Sequence, residues 1–426
     1  MSSYPQFFRV RQHFEAPRVE DVPGEVELQL ASLRLSQRIK PGQSVAITAG
    51  SRGIANIKEI IRGVVQHMQQ LGAQPFIVPA MGSHGGGTPE GQTQILHDYG
   101  ITEPYCGCPI KASMETVIVC QTAEGFPVHF DRHASEADHV FVVGRVKPHT
   151  DFVGDIESGL MKMMLIGLGK HEGAKVYHRA IQDYSFGQIL RSVAGQVLQK
   201  CRIVGALATL ENGYDQTAKL AAVSPEELEA REKELLLQAR QWMPRLPFKK
   251  VDILLVDELG KNISGAGMDT NVVGRKKNFH GPSPDEFPQV KRIVVRGLTE
   301  ATHGNASGIG MASFVTTRTL RATDMVKTRI NCLTSGHTSA AMLPIDFETD
   351  REILDAALPT IGLTDPPHAK ILWITNTLEI AEVECSAFYL PEAKERPDLE
   401  ILTPLRSLAF DSDGNLSSCH ALGTAK

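Results

Sequence analysis

The chain lacks the marks of several protein classes. No stretch approaches the roughly 18 consecutive apolar residues of a membrane span. The N-terminal MSSYPQFFRVRQHFEAP has no apolar run of the kind a secretion signal needs. A cytoplasmic protein without membrane contact is the expectation. Basic clusters with interleaved aromatics are missing and the formal net charge is -5, which argues against a nucleic-acid partner. The seven cysteines are scattered, and the one close pair, Cys106-Gly107-Cys108, has no second pair to match it. A zinc site is therefore not expected, and reduced thiols fit best. The dinucleotide fingerprint G-x-G-x-x-G is absent where it belongs, since the first loop reads AGSRG, and there is no Walker phosphate loop. Repeats and low-complexity segments are also missing.

What remains is ordinary globular material. The 426 residues are 42% hydrophobic and 22% charged, enough for two domains with cores of their own. Residues 25–33 alternate like a strand. Residues 44–48 (SVAIT) read as a short buried strand, followed by a small-residue loop. Asn56 is a candidate helix cap for Ile57, Ile60, Ile61, Val64, Val65, Met68 and Leu71, which recur at helical spacing. Residues 74–78 (QPFIV) supply the next strand, so the unit is β-loop-α-β in a parallel sheet. Thr88 and Pro89 suit the start of another helix. A strand at 138–144, a helix at 186–198, a strand at 203–210 and a helix from Ser224 to about 243 follow, the last with a solvated charged face. Pro244-Arg245-Leu246-Pro247 divides the chain into 1–246 and 247–426, and strands at 251–257, 292–295 and 371–375 follow it. The fold class is α/β: two domains with mostly parallel sheets flanked by helices, the active site in the cleft between them.

The chain is organised around residues 144–178, GRVKPHTDFVGDIESGLMKMMLIGLGKHEGAKVYH. Leu160, Met161, Met163, Met164, Leu165, Ile166 and Leu168 are apolar on every side of a short helix, so it is buried. Lys162 stands among them. A lone lysine there most often snorkels to solvent; a desolvated one is a nucleophile. Open α/β sheets bind ligands at the carboxyl ends of their strands. The loops at that edge carry Ser51, Arg52, His84, Arg145, Lys147 and His149, with Lys162, His171 and His178 just beyond. Two histidines on separate loops suit acid/base work on opposite faces of a substrate, an arginine suits a carboxylate, and a further neutral imidazole suits a metal.

These residues resemble the lactate racemase superfamily of nickel-pincer-nucleotide-dependent racemases and epimerases. The resemblance lies in the Ser51-Arg52 loop, Gly82-Ser83-His84, Lys147-Pro148-His149, Ser158-Gly159 ahead of Lys162, and His178 sixteen residues after Lys162. It implies an isomerase. Lys162 would carry the nickel-pincer nucleotide, a pyridinium-3-thioamide-5-thiocarboxylic acid mononucleotide, through a thioamide link, and His178 would complete a planar sulfur-rich nickel site. His84 and His149 would be the catalytic bases while hydride moves to the cofactor and back. Ser158, Gly159 and the helix amides would face the cofactor phosphate, with Lys147 and Ser51 as further cofactor contacts. Arg52, Asn271 and Lys277 would bind the hydroxy-acid substrate, and separate proteins would make the cofactor. The chain departs from the pattern at Ala49 in place of an aspartate, at Leu160-Met161 before Lys162, in about three extra residues around 155–157, and at Val273-Gly274 in place of a Tyr-Gln pair. Those departures favour a larger 2-hydroxy acid, such as a sugar acid, over lactate. A cofactor-free binding protein of the same fold and a nicotinamide-dependent dehydrogenase are the alternatives.

Overall fold

The computed structural model describes residues 4–51 and 53–419. They form two compact units, one of Glu15–Met243 and one of Pro244–Lys426 together with the first fourteen residues. In chain order the elements are β1 (Phe7–Gln12), α1 (Val22–Ser32), β2 (Ser44–Ala49), α2 (Ile57–Gln70), β3 (Gln74–Pro79), α3 (Pro89–Asp98), α4 (Glu103–Cys106), β4 (Thr116–Gln121), β5 (Pro127–Asp131), α5 (Arg132–Glu136) and β6 (His139–Arg145). Then come α6 (Leu160–Lys162), a π-helical turn (Met163–Gly167), α7 (Lys170–Ala180), α8 (Phe186–Lys200), β7 (Ile203–Glu211), β8 (Thr217–Val223) and α9 (Leu228–Trp242).

The first unit holds a five-stranded sheet in the order β3-β2-β6-β7-β8. Its first four strands are parallel, and β8 runs antiparallel to β7. Strand residues are sorted by parity. Val45, Ile47, Phe141 and Val143 share one core with α1 and α2, whereas Ala46, Val140 and Val142 share the other with α6 to α9. A sheet covered on both faces explains why these strands are apolar runs rather than alternations. Thr88 caps α3 by accepting the Gly91 amide at 3.1 Å, with Pro89 in the first turn.

Two local expectations are corrected. Residues 25–33 do not form a strand; α1 covers them. Its buried side chains Val22, Val26 and Leu30 recur every four residues, Asp21 caps it through the Gly24 amide, and Leu28 lies exposed. The sequence Glu-Val-Glu-Leu-Gln-Leu satisfies both periods, and the cap decides. Asn56 does not cap α2; it takes a left-handed conformation and its amide donates to Thr217 Oγ1 at 2.9 Å.

The second unit has an eight-stranded sheet. Its strands are β9 (Lys250–Val256), β10 (Gln289–Val295), β11 (Phe314–Thr316), β12 (Ile345–Phe347), β13 (Ile371–Ile374), β14 (Glu382–Ser386) and β15 (Leu399–Ile401), with β1 completing it, in the order β12-β11-β10-β9-β13-β14-β1-β15. The strands from β12 to β13 are parallel, and β14, β1 and β15 are antiparallel to their neighbours. The start of the chain, expected from sequence to be part of a 1–246 domain, is a strand of this sheet. β1 is paired along both edges, and its Arg9 is buried against Glu384 at 2.7 Å. Those partners lie some 375 residues away, so nothing near Phe7 in the sequence announces them. Among the described residues no helix is long and apolar enough to cross a membrane.

Candidate active site

The carboxyl ends of β2, β3 and β6 lie side by side, and the π turn after Lys162 packs on the loops that leave them. A Cβ on Gly50 would stand 3.5 Å from Met163 Cε, one on Gly144 2.8 Å from Met163 Cγ, and one on Gly82 3.0 Å from Ile166 Cγ2. Small residues in the loops after β2 and β3 and at the end of β6 therefore seat one helical segment. That segment is wound wider than an α-helix, with the Leu168 amide reaching back to the Met163 carbonyl at 2.9 Å. Single π turns inside helices recur at functional sites. Lys162 is the residue just before it.

The short α6 is held from an unexpected side. Glu232 of α9, fully buried, accepts the Met161 amide at 2.9 Å. A Cβ on Gly159 would lie 2.2 Å from Glu232 Oε1, so this glycine makes room for the carboxyl. Burial pushes Glu232 up to about 7, partly opposed by the Met161 and Leu160 amides. Oε1 has no hydrogen-bond partner. Sequence reading treated the charges of this helix as solvated, yet Glu232 lies in the stripe Leu228, Glu232, Leu235, Leu236, Ala239. A carboxylate at apolar spacing was the available signal.

Lys162 is half-buried and close enough to His178 of α7 to act on its charge. His178 titrates below the ordinary histidine value, first because it is buried, next because of the Lys162 ammonium, with Asp151 pulling the other way. Its imidazole is therefore neutral at pH 7, the form that binds metals. His171, the second residue of the same helix, lies beside Gly87, and its Nδ1 is buried without a partner.

His84 and His149 are held in opposite ways. His84 is exposed, and its Nδ1 lies 2.7 Å from the Met81 carbonyl and 3.0 Å from Ser51 Oγ. A carbonyl only accepts, so Nδ1 carries the proton and Nε2 the lone pair. In His149 the Nδ1 accepts the amides of Asp151 and Phe152 at 3.0 and 3.2 Å. Nε2 is then the protonated nitrogen of the neutral ring. The His149 ring stacks on Phe152, 4.2 Å between centroids, and Phe152 stacks on Phe186 at 3.8 Å. Behind this loop, Glu157 is buried and accepts the His149 amide at 2.7 Å and the Arg240 guanidinium at 2.8 Å. Glu157 thus anchors the His149 loop.

The remaining expectations fall as follows. Lys147 and Ser158 form an isolated backbone bridge, the Lys147 amide donating to the Ser158 carbonyl at 2.9 Å. Arg52 lies outside the described residues. Asn271 and Lys277 belong to the second unit. There Asn271, in α10 (Thr270–Val273), donates to Asp269 Oδ1 at 2.9 Å, and the exposed Lys277 lies 3.6 Å from Asp285.

Comparison with known proteins places this geometry. Residues 12–186 match the lactate racemase N-terminal domain. Over that stretch, about two fifths of its length, the chain is similar to that family. The matched stretch carries Ser51, His84, Lys147, His149, Ser158, Gly159, Lys162 and His178, and stops short of Glu232. The lactate racemase apoprotein of Thermoanaerobacterium thermosaccharolyticum has a similar structure, with a TM-score of 0.55 at 13% identity over 88% of this chain and 99% of that one. At that identity the likeness is one of fold: this chain has the lactate racemase-like architecture. A Thermotoga maritima protein of solved structure reaches a TM-score of 0.48 at 12% identity, over 85% of this chain and 98% of the other. No curated protein sequence matches the chain.

Proposed function

We propose that the chain is a racemase or epimerase of a 2-hydroxy acid that uses a nickel-pincer nucleotide. The observation that supports this most is the meeting of Lys162 and His178 beside the three loops of the sheet edge. Among the described residues no three His, Cys, Asp or Glu side chains converge on one point. A single neutral imidazole suits a metal that arrives with donors of its own. Lys162 would hold the nucleotide and His178 would ligate its nickel. The Met161 amide, one of those the resemblance would aim at the cofactor phosphate, is taken by the Glu232 carboxyl.

When bound, the cofactor supplies a reversible hydride acceptor. The protein's part is to handle the hydroxyl proton on either face of the substrate. His84, with its lone pair on Nε2, takes the proton from one enantiomer. On the other face His149 presents Nε2–H as a hydrogen-bond donor to the substrate oxygen; it delivers a proton only from its imidazolium form, with the proton taken up from solvent, and returns to the neutral ring. Ser51 steadies His84. A sugar acid is tested beside lactate; Val273, expected to open space for it, is itself buried, and a Cβ on Gly274 would meet the Pro288 carbonyl.

The test is a chiral assay over a panel of 2-hydroxy acids, with protein from a host that makes the cofactor. Interconversion of one pair, abolished by His84→Gln and by His149→Gln, is the expected result. Full activity in both variants would overturn the two-base assignment. Loaded protein that binds a hydroxy acid without inverting any would favour a binding protein of the same fold.

A further inference from the structure

Lys170 opens α7, eight residues after Lys162 and eight before His178. Its side chain is fully buried and its backbone is left-handed, φ +54°. That conformation is costly for a residue with a Cβ, and here it marks the joint between the π turn and α7. An ammonium has three donors. Around Nζ are three acceptors: Asp131 Oδ2 at 3.1 Å, Gln92 Oε1 at 3.3 Å, and the Pro79 carbonyl at the end of β3. Burial lowers the amine's pKa and Asp131 works against that. Gln92, itself buried, passes the connection on. Its Nε2 donates to the Gly82 carbonyl at 3.0 Å and to the His84 carbonyl at 3.3 Å. Asp131 in turn fixes the start of α5 through the Ala134 amide at 2.8 Å.

We infer that Lys170 is a positioning residue: through Gln92 its buried ammonium ties the Gly82–Gly87 loop, which carries His84, to the helix that carries His178. The two halves of the site come from β-α units far apart in sequence, and Lys170 with Gln92 makes a polar link between them. In giving His84 a catalytic role the inference rests on the racemase reading; the mechanical link does not.

Hydrogen exchange on the unloaded chain tests the link directly. The His84, Gly87 and Thr88 amides bond within the loop, so their exchange reports its order. Gln92→Glu keeps an acceptor for Lys170 and removes the donor to the loop. It should speed exchange of these amides about tenfold and leave α7 unchanged. Lys170→Met should speed both. In loaded protein Gln92→Glu should lower kcat about tenfold, change KM less than threefold and leave nickel content intact. Loop exchange within twofold of wild type in Gln92→Glu overturns the link, as does a uniform rise over the whole chain. If Lys170→Met does not fold, Gln92→Glu decides alone. Faster loop exchange with no inversion by any loaded protein, wild type included, would retain the link and reject the racemase reading.

Discussion

The two histidine loops solve one problem by different means. The His84 loop is glycine-rich and exposed, and its ring is fixed by its own backbone carbonyl and by Ser51. Four of its residues, Gly82, Gly85, Gly86 and Gly87, have positive φ, and Gly85 touches Gly91 so closely that a Cβ would lie 2.5 Å from it. Glycine alone meets both demands cheaply. The His149 loop has aromatic stacking on one side and a buried carboxylate behind it. One ring is held by its Nδ1 donating, the other by its Nδ1 accepting. Identical side chains thus acquire complementary proton states from the backbone groups that face Nδ1.

Substitutions can break this contrast, and they rank by expected size. Replacing either ring by glutamine should cost a thousandfold or more in inversion, at the upper end of what one acid/base group contributes; chiral chromatography measures it. Glu157→Gln comes next. It weakens the pairing with Arg240 and the anchor of the His149 amide. A destabilisation of about 1 kcal/mol follows, since the Arg240 side chain is a third exposed and also donates to the Gly154 carbonyl, with a larger fall in kcat than in 1/KM. Denaturant unfolding and steady-state kinetics test the two parts, and the order of the His84 loop should not change.

Glu232 supports the segment that both loops touch, and its effect depends on pH. In the fold it stays protonated up to about pH 7, whereas its ordinary value is 4.5. Between those values the folded state holds a proton that the unfolded chain has lost. Its contribution is complete below 4.5 and is lost as pH rises to 7, by about 3 kcal/mol in all. Glu232→Gln, which retains an acceptor for the Met161 amide, should therefore gain stability relative to wild type between pH 5 and 8. Parallel stability curves would show that the carboxyl is not held neutral. Ser51→Ala should have the smallest effect, a change in kcat of threefold or less, because the Met81 carbonyl still fixes the His84 tautomer.

Local order was legible in the sequence where its cause is local. The β2-α2-β3 unit, the Thr88-Pro89 start and the spacing of Lys162 to His178 could all be read within a few turns of chain. The family resemblance rested on the same short stretches. The groups that hold the site were not legible, because their partners are remote: Glu232 reaches α6 across 71 residues, Lys170 reaches Pro79 across 91. Their types gave some warning, since a charge in an apolar stripe must be paired or neutral. The helix over 25–33 was misread because one stretch fits both periods. β1 was missed because its pairing partners come from the far end of the chain.

The most direct measurement is intact mass together with nickel content, on protein made in a host that builds the cofactor. The account predicts a covalent addition of several hundred daltons mapping to Lys162, about one nickel per chain, and loss of nickel but not of the adduct in His178→Ala. Unmodified Lys162 and no nickel under those conditions would contradict it, leaving the lactate racemase-like fold with a different activity.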